Sequence, residues 1–132
     1  MPLSQSPSLR FVASVFGTIW VAFGVNAILR PDHALTFFEF EPPVGAAEKK
    51  LVDSLRGSLC VYACIHGLAG AFTGAFTGDR KTLGWILLAG SAVAFADGVV
   101  CRQAGKGEWN HWGYAPMLTV FGSLLLGVAD KS

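Results

Sequence analysis

Asp53, Arg56 and Asp97 are the residue types that acid–base chemistry needs: two carboxyl groups and a guanidinium. One carboxylate can take a proton from water while a second, kept protonated by burial and held by an arginine, gives a proton to a leaving oxygen. That pairing suits the opening of a strained ring. Asp97 is the most informative of the three because it lies inside an apolar stretch. An ionised carboxylate at the centre of a membrane helix costs about 2.5–3.5 kcal/mol on insertion scales, so it faces a protein interior or a wet cavity and finds a partner. Asp97 stands about five residues from the end of its stretch, or about 7 Å along a helix, which reduces the penalty. The plain alternative is a snorkelling or paired structural aspartate.

Other polar groups gather near the same level. Arg56 opens the second apolar stretch, with Asp53 three residues before it on a neighbouring part of one helical face. Asn26 lies near the end of the first stretch, and Trp109, Asn110, His111, Trp112 and Tyr114 lead into the fourth. His66 lies deeper in the second stretch, with Tyr62 one turn before it. In the catalytic reading Asp97 is base or nucleophile, Arg56 orients it and steadies oxyanion charge, and Asp53 or His111 supplies the acid. Asn26, Tyr62, His66, Trp109 and Trp112 then bind substrate. Each has a structural alternative: Trp and Tyr as an interfacial belt, His66 as a hydrogen-bonded interhelical strut, His111 as an exposed loop residue.

The elements that must position these groups follow from composition. Of 132 residues, 52% are hydrophobic and 14% charged, against about 25% charged in a soluble domain. So much apolar surface calls for a lipid bilayer. A spanning helix needs about 20 mostly apolar residues. Four segments approach this, at 11–29, 57–78, 82–101 and 112–128. The expected fold class is all-α: one integral membrane domain over 1–132, a four-helix bundle of antiparallel up-down topology with both termini on one side. Arg10 before the first stretch resembles a signal sequence, but the apolar run is long and lacks a clear small-residue cleavage site, so it reads as a retained helix. The terminal side carries Arg10, Arg80, Lys81 and Lys131; the opposite, loop side carries Arg30, Lys49, Lys50, Arg56, Arg102 and Lys106. The positive-inside rule leans toward a cytoplasmic loop side, but six against four is too narrow a margin to fix the orientation.

The loop at 30–56 interleaves Phe37, Phe38 and Phe40 with Glu39 and Glu41. Such a segment lies in the membrane interface, as a lid or as an anchor. Gly70, Gly74 and Gly78 repeat every four residues, with Gly67 beside them, and small residues let helix backbones approach closely in lipid. Gly84, Gly90 and Gly122 read as packing positions of the same kind.

Several function classes lack support. Ten basic and nine acidic residues nearly cancel, which leaves no nucleic-acid footprint. Cys60 and Cys64 are one turn apart, but no second pair of thiols or imidazoles accompanies them, so no metal site is expected; the odd count with Cys101 argues against a disulfide framework. No phosphate loop, HExxH or GxSxG motif is present. A transport path through four spans would need a homo-oligomer.

The run DSLRGSLCVYACIHGLAGAFTGAFTGDRKTLGW from Asp53, the ADG at Ala96–Gly98 and the HWGYAP at His111–Pro116 resemble a family of small four-span proteins catalogued as domain of unknown function 4267. The likeness covers about residues 10–128. It implies a multi-pass protein of the endomembrane system, in a eukaryote the endoplasmic reticulum. It is also similar to membrane proteins encoded beside polyketide and terpenoid biosynthetic enzymes, some assigned as epoxide hydrolases or cyclases. The resemblance carries no catalytic residue set to this chain. Together these readings predict an epoxide-opening enzyme of secondary metabolism, acting on a lipophilic small molecule without metal or organic cofactor. The competing expectation is a non-catalytic scaffold, assembly factor or transporter subunit with a structural Asp97–Arg56 ion pair.

Overall fold

The computed structural model describes residues 1–130; the side chains of Leu55, Arg56, Leu59, Cys60 and Ala63, like residues 131–132, lie outside the described set. The described chain is all-helical. Helix α1 spans Pro7–Leu29, α2 Pro31–Thr36, α3 Ala46–Phe72, α4 Arg80–Gln103, α5 Trp109–Trp112 and α6 Ala115–Leu125. A wide helical turn, Thr73–Thr77, extends α3. Among the described residues, α1 and α4 are long and apolar enough to cross a membrane.

Local chemistry sets the boundaries and moves three of the expected ones. The first helix starts at Pro7, four residues ahead of the apolar run, because the Ser6 hydroxyl accepts from the Leu9 amide and Pro7 occupies the first helical position. The second long helix starts at Ala46, so it absorbs the charged end of the expected 30–56 loop, and Pro31 starts the short α2 inside that loop. The fourth segment does not run unbroken from Trp112. It divides at Gly113–Tyr114, and Pro116 falls in the first turn of α6, where its missing amide is tolerated. At 11 residues, α6 is about 16 Å long, short of a 30 Å hydrocarbon core by itself. The tight turn before α4 matches its sequence. Gly78 takes the left-handed conformation at φ 64° and Asp79 caps α4 through the Lys81 and Thr82 amides.

Two close antiparallel pairs build the frame, α1 with α3 and α4 with α6. A Cβ on Gly17 would come within 2.7 Å of the Ala71 nitrogen, and one on Gly67 within 2.6 Å of the Val21 nitrogen. Further along, Gly24 lies against Cys64. The second seam puts Gly84 against Gly122, each 2.9 Å from the other's carbonyl oxygen by the same measure. Next along it, the Ser91 hydroxyl donates to the Ala115 carbonyl at 3.1 Å and meets Thr119, a polar link of the kind that holds helices together in lipid. Leu9, Ala13, Leu83, Leu87, Leu118 and Leu125 form the core where α1, α4 and α6 meet. At one end of the molecule the Ser4 amide donates to Asp130 at 3.0 Å, and Arg80 reaches the Ser4 carbonyl, so the first and last described segments and the α3–α4 turn come together.

Large apolar side chains stand exposed on every long helix, among them Phe11, Ile65, Trp85 and Val120. Exposure on this scale marks a surface that meets lipid or another protein.

The α1–α3 seam is backbone against backbone, which cannot yield as a flexible side chain would. Gly67→Val is expected to destabilise the protein by about 1–3 kcal/mol, seen as a lower thermal midpoint in detergent. Gly57→Ala, with no atom within 4 Å of the added Cβ, should leave the midpoint unchanged or raise it.

Candidate functional site

A cavity of about 500 Å³ opens between the helix pairs, within the range of small-molecule sites. One face of α4 forms its long wall: Gly90, Val93, Ala94, Asp97 and Val100 recur at helical spacing and line it together. Trp20 and Phe23 of α1, Tyr62 and His66 of α3, and Tyr114 beside α6 complete the sides. The wall is overwhelmingly apolar and aromatic. At the deep end the Trp20 indole packs where a Cβ of Gly90 would otherwise be, so the absence of that side chain makes room for the ring.

The mouth is polar and built from two elements. Asp97 approaches His111 of α5, with Oδ2 4.0 Å from Nδ1. That is beyond a direct hydrogen bond and close enough for one bridging molecule. The Asp97 side chain is 32% exposed and that of His111 2%. Neither ring nitrogen of His111 has a hydrogen-bond partner among the described residues. Burial pushes the imidazole below its usual pKa, because a desolvated ring resists the charge of a second proton. At neutral pH the contact is therefore between a carboxyl group and a neutral imidazole, not an ion pair. Phe37 and Phe38 pack on the ring at centroid distances of 4.9 and 4.6 Å, which explains the desolvation.

Those two phenylalanines belong to a strap after α2 that closes over the mouth. Asn110 holds it: Nδ2 donates to the Phe37 carbonyl at 2.8 Å and to Glu39 Oε1 at 3.3 Å. The Phe38 carbonyl lies against Gly107, 2.5 Å from where a Cβ would be, and Gly107 has φ 84°, so this position excludes side chains twice over. Glu39 bends the strap with φ 58°.

Of the residues singled out in the sequence, Asp97, His111, Tyr62 and His66 meet in this cavity. His66 is also a strut, since its Nε2 lies 3.0 Å from the Ile86 carbonyl. The Arg56 side chain lies outside the described residues, so the expected Asp97–Arg56 pairing falls there too. Asp53 is exposed on α3 and is not among the residues that line the cavity. Asn26 pairs with His33 at 3.2 Å in a separate shallow groove. Trp109 is 74% exposed. Trp112 packs on Gly98, donates to the Phe95 carbonyl at 3.3 Å and lies under the Arg102 guanidinium. Neither tryptophan lines the cavity; Trp112 is turned from it because Gly98, on which it packs, and Asp97 are adjacent and so face about 100° apart on α4. Phe37, Phe38 and Phe40, for which lid and anchor both stood open, are cavity wall. Trp20 and the Asn110 clasp escaped sequence reasoning: one resembles any apolar helix residue, the other any loop amide. No group of three or more His, Cys, Asp or Glu side chains that could hold a metal is found among the described residues.

Fold and site define a helical protein with membrane-length helices around an aromatic cavity closed by a carboxyl group and an imidazole. The chain belongs to the family described as domain of unknown function (DUF4267), whose model matches residues 17–125. That stretch contains every residue of the cavity wall. No curated protein and no solved structure matches the chain.

Two outcomes follow from the mouth. His111 binds a proton less readily folded than unfolded, so the unfolded chain gains protons first as pH falls below about 6.5. Stability is complete above that value and declines as pH drops toward the depressed folded pKa; thermal midpoints at pH 7.5 and 5.5 should show the loss, and His111→Gln should flatten it. Asn110→Ala removes the donor to Phe37 and should raise amide hydrogen exchange in residues 37–40 by about fivefold, the worth of one net hydrogen bond.

Proposed function

We propose that this protein is a membrane enzyme that crosses the bilayer four times and opens epoxides of lipophilic small molecules, by hydrolysis or cyclisation, with Asp97 and His111 as its acid–base pair. One observation carries the proposal: a carboxyl group and an imidazole without a hydrogen-bond partner among the described residues face each other at 4.0 Å at the mouth of a mostly apolar 500 Å³ cavity. An aromatic wall binds a greasy molecule, and the mouth offers it a proton donor and a proton acceptor. The resemblance of the sequence to membrane proteins of polyketide and terpenoid biosynthesis supports the choice of an epoxide.

The chemistry needs only water or a hydroxyl of the substrate. Neutral His111 accepts the proton of that nucleophile as its oxygen bonds to an epoxide carbon. The strained C–O bond breaks with its electron pair on oxygen, and Asp97 in its acid form gives that oxygen a proton. Transfer of the imidazolium proton to the Asp97 carboxylate then restores both groups. The base role expected of Asp97 thus moves to His111, whose buried ring is held neutral. Two of the crossings are α1 and α4. The third is the apolar part of α3, and the fourth is the segment 112–128, in which α6 is continued by the turns at its two ends, with His111 just outside it. A scaffold with a closed ion pair at Asp97 would need no open cavity beside that residue.

The test is turnover of long-chain terminal epoxides by purified protein in detergent. Asp97→Asn and His111→Gln should each lower kcat by about 10²–10⁴-fold while lipophile binding is retained. Full activity of either variant would remove that residue from the mechanism, and absence of epoxide opening by the wild type would overturn the proposal.

A further inference from the structure

The cavity has a second polar pole, which the ring-opening step does not use. His66 lines the deep end beside Trp20, whose ring centroid is 5.0 Å away, and Tyr62, at 5.2 Å. The Nε2 of His66 meets the Ile86 carbonyl at 3.0 Å. A carbonyl only accepts, so Nε2 carries the hydrogen. In the neutral ring that leaves Nδ1 as an acceptor, and no described side chain is seen to occupy it. Fixing one nitrogen of a histidine through a backbone carbonyl sets the tautomer and the orientation of the ring, the usual way in which the other nitrogen is readied for a ligand.

The separation of the two poles can be read along α4. Ile86 marks the level of His66 and Asp97 marks the mouth, 11 residues further on, or about 16 Å along the helix axis. Between them the α4 wall presents Gly90, Val93 and Ala94, none of which has a hydrogen-bonding side chain. A molecule that fills this space is elongated, apolar in the middle, and polar at both ends.

We propose that His66 recognises a hydroxyl group at the end of the substrate remote from the reacting ring, so that the protein selects long lipophiles with a hydrogen-bond donor about 16 Å from the epoxide. This rests on the ring-opening reading for its reactive end, while recognition at the deep end stands on the cavity alone. An isostere lacking the hydroxyl covers the His66 acceptor with an apolar tail and leaves it without a partner, and a site of that kind discriminates more sharply than apolar contact does.

The experiment uses three linear terminal epoxides of equal length, about 16 Å from ring to tail, ending in a hydroxyl, a methoxy or a methyl group. Binding is followed by quenching of tryptophan fluorescence in detergent-solubilised full-length protein, and ring opening is followed separately. The hydroxyl probe should bind about tenfold more tightly than the other two. That preference should vanish in His66→Phe, which keeps an aromatic ring against Trp20, and partly return in His66→Gln, which restores an acceptor. A shorter hydroxyl probe should lose the advantage. Equal binding of all three probes by the wild type, or an unchanged preference in His66→Phe, would overturn the inference even if epoxides are opened. Hydroxyl-dependent binding without turnover would uphold it and count against the ring-opening reading alone.

Discussion

A hydrogen-bonding group held away from water must be satisfied by protein or by ligand, and His111 is where this constraint bears hardest. Its ring is almost fully enclosed, with Phe37 and Phe38 on it, Tyr114 close by and Asp97 in front. Neither nitrogen has a partner among the described residues. The arrangement is understandable if a molecule entering the cavity completes it. The strap, the Asn110 clasp and the bare backbone at Gly107 all hold the imidazole in that position.

The frame explains why there is room for such a site. At Gly17, Gly67, Gly84 and Gly122 the helices approach to backbone contact, and these seams fix the two helix pairs rigidly. Toward one end the pairs meet in the leucine core of α1, α4 and α6, and around the cavity Trp20, Phe37 and Tyr114 line the gap without filling it. The cavity is the space left between two tight pairs, and Gly90, by lacking a side chain, lets the Trp20 ring seat against α4.

Much of this was legible in the sequence. The all-helical fold, the Gly78–Asp79 turn and the small-residue seams each rest on local chemistry, which the chain carries residue by residue, whereas the fourth apolar segment breaks at Gly113–Tyr114. Asp97 and His111 were placed at one depth by the sequence, while His66 and Tyr62, read as deeper, line the same cavity further in. What failed were inferences about direction around a helix and about loops. Trp112 lies near Asp97 in depth but points elsewhere, and Asp53 stands on an exposed face. The ordering of the Phe37–Phe40 strap depends on Asn110, about seventy residues away in the chain, and no local pattern reports a contact of that range.

The central claim is that a lipophilic molecule enters this cavity and meets Asp97 and His111. Photolabelling tests it most directly, with a long-chain epoxide carrying a diazirine and the adducts mapped by mass spectrometry. The account predicts adducts on Phe37, Phe38 and the Val93–Asp97 stretch, suppressed by excess unlabelled epoxide. Adducts confined to the outward-facing Phe11, Trp85 and Val120, and indifferent to competitor, would contradict it.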